Sequence, residues 1–427
     1  MSKSAASDKW YYCYLPNGIA GGVTSLLIPL FAKDLGASVG QVGIIAAASS
    51  LSSIPAFMLW GHLSDRLKRR KPFVLLGFLG MALCLFLMGI SGGVQDYYLS
   101  NLLFGFLVAA SAPVATALVI ETAARDQWAR RIAAFSQVGG IGWVAGLTLG
   151  AVWLGIDFYG LTVGSEMRAL FIIGAALATL SAVVAWRWIE EPAEQLTDRP
   201  THPPEHHFIT VEKLKYLPLR MLHRFEFWKR KKDGHRYGRS LSIYLFCIFL
   251  LFAGFTAFYA FFPIFLADEI DLPSMEIFIV YIASQATSVA FYTRVGKWVQ
   301  ERGSKRMQIL GSGVRAVLFP TFLVVVFFHM DPVVALAVMI ALHSVIGLCW
   351  ALINVSGSMI VSNLAMPGMQ AEAFGAYNAV QGFGSIAGPL AGGLTCEYFG
   401  YPAGFAVTSL FIIFGILILV RLKVDAK

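Results

Sequence analysis

Stretches of about twenty apolar residues recur along this chain, separated by short polar breaks. The run from Lys71 to Ser91 (KPFVLLGFLGMALCLFLMGIS) is typical. A helix of that length crosses a hydrocarbon layer of about 30 Å. The pattern predicts spans 1 to 6 near residues 10–32, 39–61, 71–91, 97–121, 131–154 and 168–188. Spans 7 to 12 follow near 240–266, 276–296, 307–328, 333–362, 371–396 and 401–421. Backbone groups in lipid must pair within their own segment, so these spans are helical. The expected fold is an all-α integral membrane protein with 12 transmembrane helices in two six-helix bundles. The expected division is 1–188 for one bundle, 189–239 for a basic linker and 240–427 for the other.

Composition fits that reading. Of 427 residues 57% are hydrophobic and 14% charged, and the mean hydropathy is +0.68; soluble chains carry roughly 25% charged residues. The five cysteines, Cys13, Cys84, Cys247, Cys349 and Cys396, all fall in apolar runs, as small core residues without disulfide or metal spacing. Residues 1–9 are polar and no small-residue cleavage site follows, so the first span is expected to remain as an anchor.

Charge sorts the loops by side. Residues 61–71 hold Arg66, Lys68, Arg69, Arg70 and Lys71; other even loops hold Arg125, Arg130 and Arg131, and Lys297, Arg302, Lys305 and Arg306. The alternate loops carry mostly acids, with Asp96, Asp157, Glu166, Asp268, Glu269, Asp271, Glu276, Asp331 and Glu397. Positive loops stay cytoplasmic, which places both termini and the linker inside a plasma-membrane protein. The net charge of +8 is largely this bias and does not point to nucleic acid. Within the linker, Val211 to Lys232 mixes Leu, Phe and Trp with Lys and Arg; it is either a helix on the anionic inner leaflet or a solvated tether. Its histidines, including His206 and His207, lack metal-ligand spacing, and neither metal nor cofactor is expected.

The two halves repeat each other. Shifted by 234 positions, Pro29-Leu-Phe-Ala-Lys-Asp34 meets Pro263-Ile-Phe-Leu-Ala-Asp268, and at 235 Ser49-Ser50-Leu-Ser-Ser53 meets Ser284-Gln285-Ala-Thr-Ser288. At 242, Gly142, Gly146 and Gly150 meet Gly384, Gly388 and Gly392. Six spans duplicated in one orientation give bundles related by an axis along the membrane normal, the architecture of an alternating-access machine.

The loop between spans 2 and 3 reads Gly61-His-Leu63-Ser-Asp65-Arg66-Leu-Lys68-Arg69-Arg70-Lys71, with a worn copy at Gly296 to Arg306. With this motif in this place, the chain resembles the major facilitator superfamily, whose pattern there is G-x-L-x-D-R-x-G-R-R. The resemblance covers the whole chain and implies a secondary transporter. It makes Gly61, Asp65, Arg66 and Arg69 a gate motif, with Asp65 near the start of span 11 and the basic cluster near Glu121; the other reading is that these charges only fix topology. Lys68 stands where the pattern has glycine, and Asn101 where many proton-coupled members have arginine. The G-x-x-x-G-P-x-x-G-G motif of drug antiporters lacks its proline in span 5 but is intact as Gly384-Ser-Ile-Ala-Gly388-Pro389-Leu-Ala-Gly392-Gly393 in span 11. A drug–proton antiporter assignment is therefore weak.

Polar residues at membrane depth group by helical spacing. Span 8 carries Tyr281, Gln285, Ser288 and Tyr292 on one stripe, and span 10 carries His343, Gly347, Trp350 and Asn354. Span 1 offers Tyr14, Asn17 and Thr24, span 7 Thr256 and Tyr259, span 11 Asn378 and Gln381. By resemblance these spans line or flank the central cavity. The lining suits a neutral, moderately lipophilic or hydroxylated solute. Arg315 in span 9, a peripheral helix in the family, reads as a packing or snorkelling residue. His343, shifted 242 from Asn101, is the titratable group near mid-depth on a cavity helix. It either couples transport to protons, with Gln381 or Asn354 as its acceptor and a dependence on pH between about 5 and 7, or packs as a neutral interior histidine.

The expected function is export of lipophilic compounds, with protons as the candidate coupling ion, by a monomer in the lipid bilayer. Uptake of a sugar or organic acid is nearly as well supported, and a transporter-like sensor is the third reading. An enzyme is not expected, since no H-E-x-x-H, G-x-S-x-G or intramembrane acid pair is present, and no G-x-x-x-x-G-K-[ST] loop binds ATP.

Overall fold

The computed structural model describes residues 8–122, 128–156, 162–191, 238–365 and 370–422. Among them there is no strand. A 3-10 turn, Asp8–Cys13, leads into span 1 (Tyr14–Asp34), followed by span 2 (Val39–Leu67), span 3 (Lys71–Ile90), span 5 (Trp128–Leu154) and span 6 (Val163–Trp188). Span 4 comes in two pieces, Val94–Val108 and Ala112–Glu121, a break that the apolar pattern does not register. The second half has span 7 (Arg239–Asp268), span 8 (Ser274–Arg302), span 9 (Ser304–Thr321 with Leu323–Phe327) and span 10 (Pro332–Leu364).

Spans 11 and 12 run together as Gln370–Arg421, 52 residues, interrupted at Gly400 where φ is +80°. That left-handed conformation is cheap for glycine alone, and it turns the chain back across the layer. Eleven stretches of the described residues are long and apolar enough to cross a membrane, and the last, Ala373–Arg421, is long enough to do so twice. The expected linker helix at 211–232 lies outside the described residues.

The repeat seen in the sequence governs how helices cross. A Cβ on Gly142 or Gly146 would strike the carbonyl of Leu15 or Ile19 in span 1; a Cβ on Gly384 or Gly388 would strike that of Phe249 or Ala253 in span 7. These are the same contacts shifted by 242 and 234 positions. Gly105 abuts the Ser49 carbonyl and Gly347 the Ser284 carbonyl in the same way. Small residues are what let backbones approach this closely where lipid supplies no hydrophobic drive. Toward the outside of each bundle, leucines, valines and phenylalanines such as Leu79, Leu83, Phe86, Val317, Phe414 and Leu417 are exposed, as a lipid-facing surface requires.

At the face bearing the acidic loops the halves meet. Lys33 pairs with Asp268, which also accepts from the Tyr401 hydroxyl at 2.8 Å, and the Gly40 amide donates to Glu397 at 3.2 Å. Gly43 of span 2 packs on Pro389 and Gly393 of span 11, and Phe278 of span 8 lies against Gly150 of span 5. At the basic face the described ties stay within a half. Glu191 accepts the Arg70 and Lys71 amides at 2.9 Å, and Lys305 donates to the Val420 and Leu422 carbonyls at 2.8 and 2.7 Å. Beside Gly139, Gly140, Gly296 and Gly375 there is open space among the described residues.

Candidate functional site

Below the closed face, a cavity of about 340 Å³ lies between the halves. Spans 1 and 5 contribute Ser25, Leu26, Trp143 and Leu147; spans 7, 8 and 10 contribute Tyr259, Pro263, Tyr281, Ser284, Gln285, His343, Gly347 and Trp350. Its volume suits a small organic molecule rather than an ion alone. Pro29 and Pro263, paired by the repeat, both sit inside helices. Each removes the amide that would have bonded the carbonyl four residues earlier, at Ser25 and Tyr259, and both of those residues line the cavity.

The second-half wall is aromatic and short of partners. Tyr281 is 4.7 Å from the His343 ring centre to centre, and Phe262 stacks on His343 at 5.1 Å with 6° between planes. His343 is fully buried, with no partner at either ring nitrogen among the described residues; the Tyr281 hydroxyl lacks one too. An unmatched polar group of this kind costs about 1–3 kcal/mol, which an occupant or ordered water recovers.

Of the residues singled out in the sequence, the wall unites Tyr259, Tyr281, Gln285, His343 and Trp350. The others lie elsewhere. Tyr14 packs on Phe78 and Phe135 at 4.8 and 4.7 Å in a first-half aromatic cluster. Thr24 bonds its own helix at Ala20 (2.8 Å) and faces Gly174 of span 6. Asn101 donates to the Tyr97 carbonyl at 2.9 Å, and Thr256 bonds Phe252 and Gly384, 2.8 and 3.1 Å away, at the crossing of spans 7 and 11. Ser288 is buried off the wall; Asn17 and Gln381 are half-buried, and Asn354 and Asn378 exposed, none of them on it. The expected bond from His343 to Gln381 or Asn354 does not form among the described residues.

At the gate motif, Gly61 lies in the helical end of span 2 and Arg69 is exposed. The side chains of Asp65, Arg66 and Glu121 lie outside the described residues. The acid described against this loop is Glu191, at the end of span 6, which sequence reading missed. Ser25, Trp143 and Ser284 were also missed; a proline four residues after Ser25 was the available signal.

Of the two readings the sequence leaves for Arg315, packing and snorkelling, the structure has the first: it is fully buried in the second bundle. Its guanidinium carbon lies 4.8 Å from the Phe255 ring, 5.5 Å from Trp350 and 5.9 Å from Tyr259.

The profile of the Major Facilitator Superfamily matches residues 11–389. The multidrug resistance protein MdtG of Yersinia enterocolitica is 29% identical over 187 residues, 43% of this chain and 42% of that protein. MdtG of Escherichia fergusonii is 29% identical over 197 residues, 44% of this chain and 45% of that one. The match thus spans less than half the length of these relatives. Among solved structures, the nucleoside transporter NupG superposes with a TM-score of 0.72 at 16% identity, covering 98% of each chain. A D-xylose-proton symporter gives 0.71 at 12% identity, again over 98% of each. At such identities the likeness is one of fold.

Proposed function

Because this chain belongs to the Major Facilitator Superfamily, we propose that it is an alternating-access exporter of small, ring-bearing organic solutes, with the cavity between spans 1, 5, 7, 8 and 10 as its substrate site. The observation that carries this reading is the chamber itself, walled by Trp143, Tyr259, Tyr281 and Trp350 and covered on one face by contacts between the halves. Aromatic walls favour flat lipophilic bodies, and the polar atoms of Ser25, Ser284 and Gln285 orient them. The name multidrug resistance protein, carried by relatives over part of their length, supports export. The uptake reading draws on the same polar atoms and on the two carbonyls freed by Pro29 and Pro263, which suit a hydroxylated metabolite.

With the basic loops taken as cytoplasmic, the chamber is closed outward by Lys33–Asp268 and Gly40–Glu397 and opens inward. Asp65 and its basic neighbours would then form the inner gate. His343 adds a polar ring to this wall, with both nitrogens buried and unmatched among the described residues and with Tyr259, Tyr281 and Arg315 around it. The test is efflux of a panel of aromatic solutes from proteoliposomes, with cysteines at positions 69 and 268 labelled from either side. Movement of solute, with position 69 labelled from inside and 268 from outside, supports the proposal. No flux of any solute, or reversed labelling, overturns it.

A further inference from the structure

Arg315 stands one ring behind the cavity wall. Tyr259 and Trp350, whose faces it touches at 5.9 and 5.5 Å, are both lining residues, and Gly347 lines the cavity next to Ile346. Its Nη2 donates to the Ile346 carbonyl at 3.1 Å and reaches the Tyr259 hydroxyl at 3.4 Å. Nε and Nη1 are buried without an acceptor, and among the described residues no carboxylate pairs with the guanidinium. An arginine in an apolar bundle normally has such a partner, because the charge is costly to bury alone.

Further buried polar atoms without partners lie along the same span and on the adjoining wall. One turn and two turns earlier on span 9, Ser312 Oγ and Gln308 Nε2 are buried without partners, and the Tyr281 hydroxyl and the His343 ring complete the set. At the guanidinium itself the two unmatched atoms, Nε and Nη1, are both donors. The repeat sharpens the point. Gly77 faces Ser111 as Gly311 faces Ile353, which aligns spans 3 and 9 at a shift of 234 positions and places Val74, Phe78 and Met81 where Gln308, Ser312 and Arg315 stand. The fold at this place is satisfied by apolar residues, so packing alone does not require the charge.

We propose that Arg315 selects amphiphilic organic anions: the ring body of the solute stacks between Trp143 and the Tyr259–Trp350 wall, and its carboxylate or similar oxyanion points at the guanidinium. The anion reaches the charge when the Tyr259 ring swings aside, exchanging its hydroxyl for solute oxygens at Nη2. This deepens the function proposed above and rests on the cavity being the substrate site. A charge about 9 Å away, one ring plus one stacking distance, in a medium of effective dielectric about 20 favours an anion over its neutral analogue on the order of 10- to 50-fold. Direct contact after the ring moves raises this further, since guanidinium and carboxylate match in bidentate geometry.

The experiment is equilibrium binding of 2-naphthoate and of its uncharged analogue 2-naphthamide to the purified full chain. Wild type is expected to bind the carboxylate at least tenfold more tightly than the amide. Arg315→Gln should bind the two alike, and Arg315→Lys should keep most of the preference. Equal binding or none of the carboxylate by wild type overturns the proposal, as does a preference that survives in Arg315→Gln. Where Arg315→Gln does not yield folded protein, wild type and Arg315→Lys decide: loss of the preference in the lysine variant counts against a charge-reading role. Transport of 2-naphthamide with no preference for the acid sinks the anion selectivity and leaves the cavity reading standing. Unchanged flux in Trp350→Ala sinks the cavity reading itself.

Discussion

Span 3 and span 9 hold the same place in their bundles and bury opposite chemistry. Val74, Phe78 and Met81 fill the first; Gln308, Ser312 and Arg315 fill the second. The same divergence runs along the cavity. Positions of the first half equivalent to Tyr259, Tyr281, Gln285, His343 and Trp350 are Ser25, Ala46, Ser50, Asn101 and Val108, and of these only Ser25 lines the chamber. Asn101 donates to its own helix and leaves only Oδ1 unmatched, whereas His343 has both nitrogens unmatched against rings. What the halves share is backbone: the glycine crossings of spans 1 and 5 recur between 7 and 11. A crossing that brings a carbonyl against a Cα tolerates no added atom. Side chains that face a cavity are free to diverge, and here the divergence loads recognition onto the second half.

The largest expected effect would break the shared part of the comparison. Gly146→Leu and Gly388→Leu each drive a side chain into a carbonyl of the neighbouring span, a clash no rotamer relieves, so each should cost more than the roughly 1–3 kcal/mol of ordinary overpacking. Both variants are expected to lose the monodisperse species in size-exclusion chromatography. A well-behaved Gly388→Leu protein would show that the crossing is not shared.

The divergent part predicts a smaller, specific effect. His343→Gln, which keeps a polar group but removes a ring from the wall, should lower solute flux severalfold at subsaturating concentration, while Asn101→Gln leaves it within about twofold. Identical flux in wild type and His343→Gln would make the histidine a packing residue. Smallest is the effect at the closed face. Lys33 and Asp268 are each about a third exposed, 34% and 32%, and such pairs contribute about 0.2–1 kcal/mol. Lys33→Ala is expected to raise the outward-open population by less than about fivefold in spin-label distance distributions, and the swapped pair Lys33→Asp with Asp268→Lys should reverse the change.

Much of the fold was legible because lipid imposes so few choices: apolar length set the spans, and internal shifts of 234 and 242 set the repeat that the glycine contacts follow. The site was legible in part. Helical spacing places Tyr281 with Gln285, or His343 with Trp350, on one stripe, but it does not say which way a stripe turns. Tyr14 and Thr24 share span 1 with cavity-lining Ser25, yet they pack on spans 3 and 6. For Arg315, a charge in a peripheral span leaves packing and snorkelling open, and the rings of Phe255, Tyr259 and Trp350 around it decide for packing. The Glu191 tie joins segments far apart in sequence, which periodicity does not carry.

The central claim, that recognition sits on the second-half wall of the chamber, is tested most directly by one paired flux measurement. Trp350→Ala and Val108→Ala alter equivalent positions of the two halves, one on the wall and one off it. Losing a stacked aromatic ring in a binding pocket weakens binding by about tenfold. The account predicts that solute flux at subsaturating concentration falls about tenfold in Trp350→Ala and stays within about twofold of wild type in Val108→Ala; equal effects in the two variants, or unchanged flux in Trp350→Ala, would contradict it.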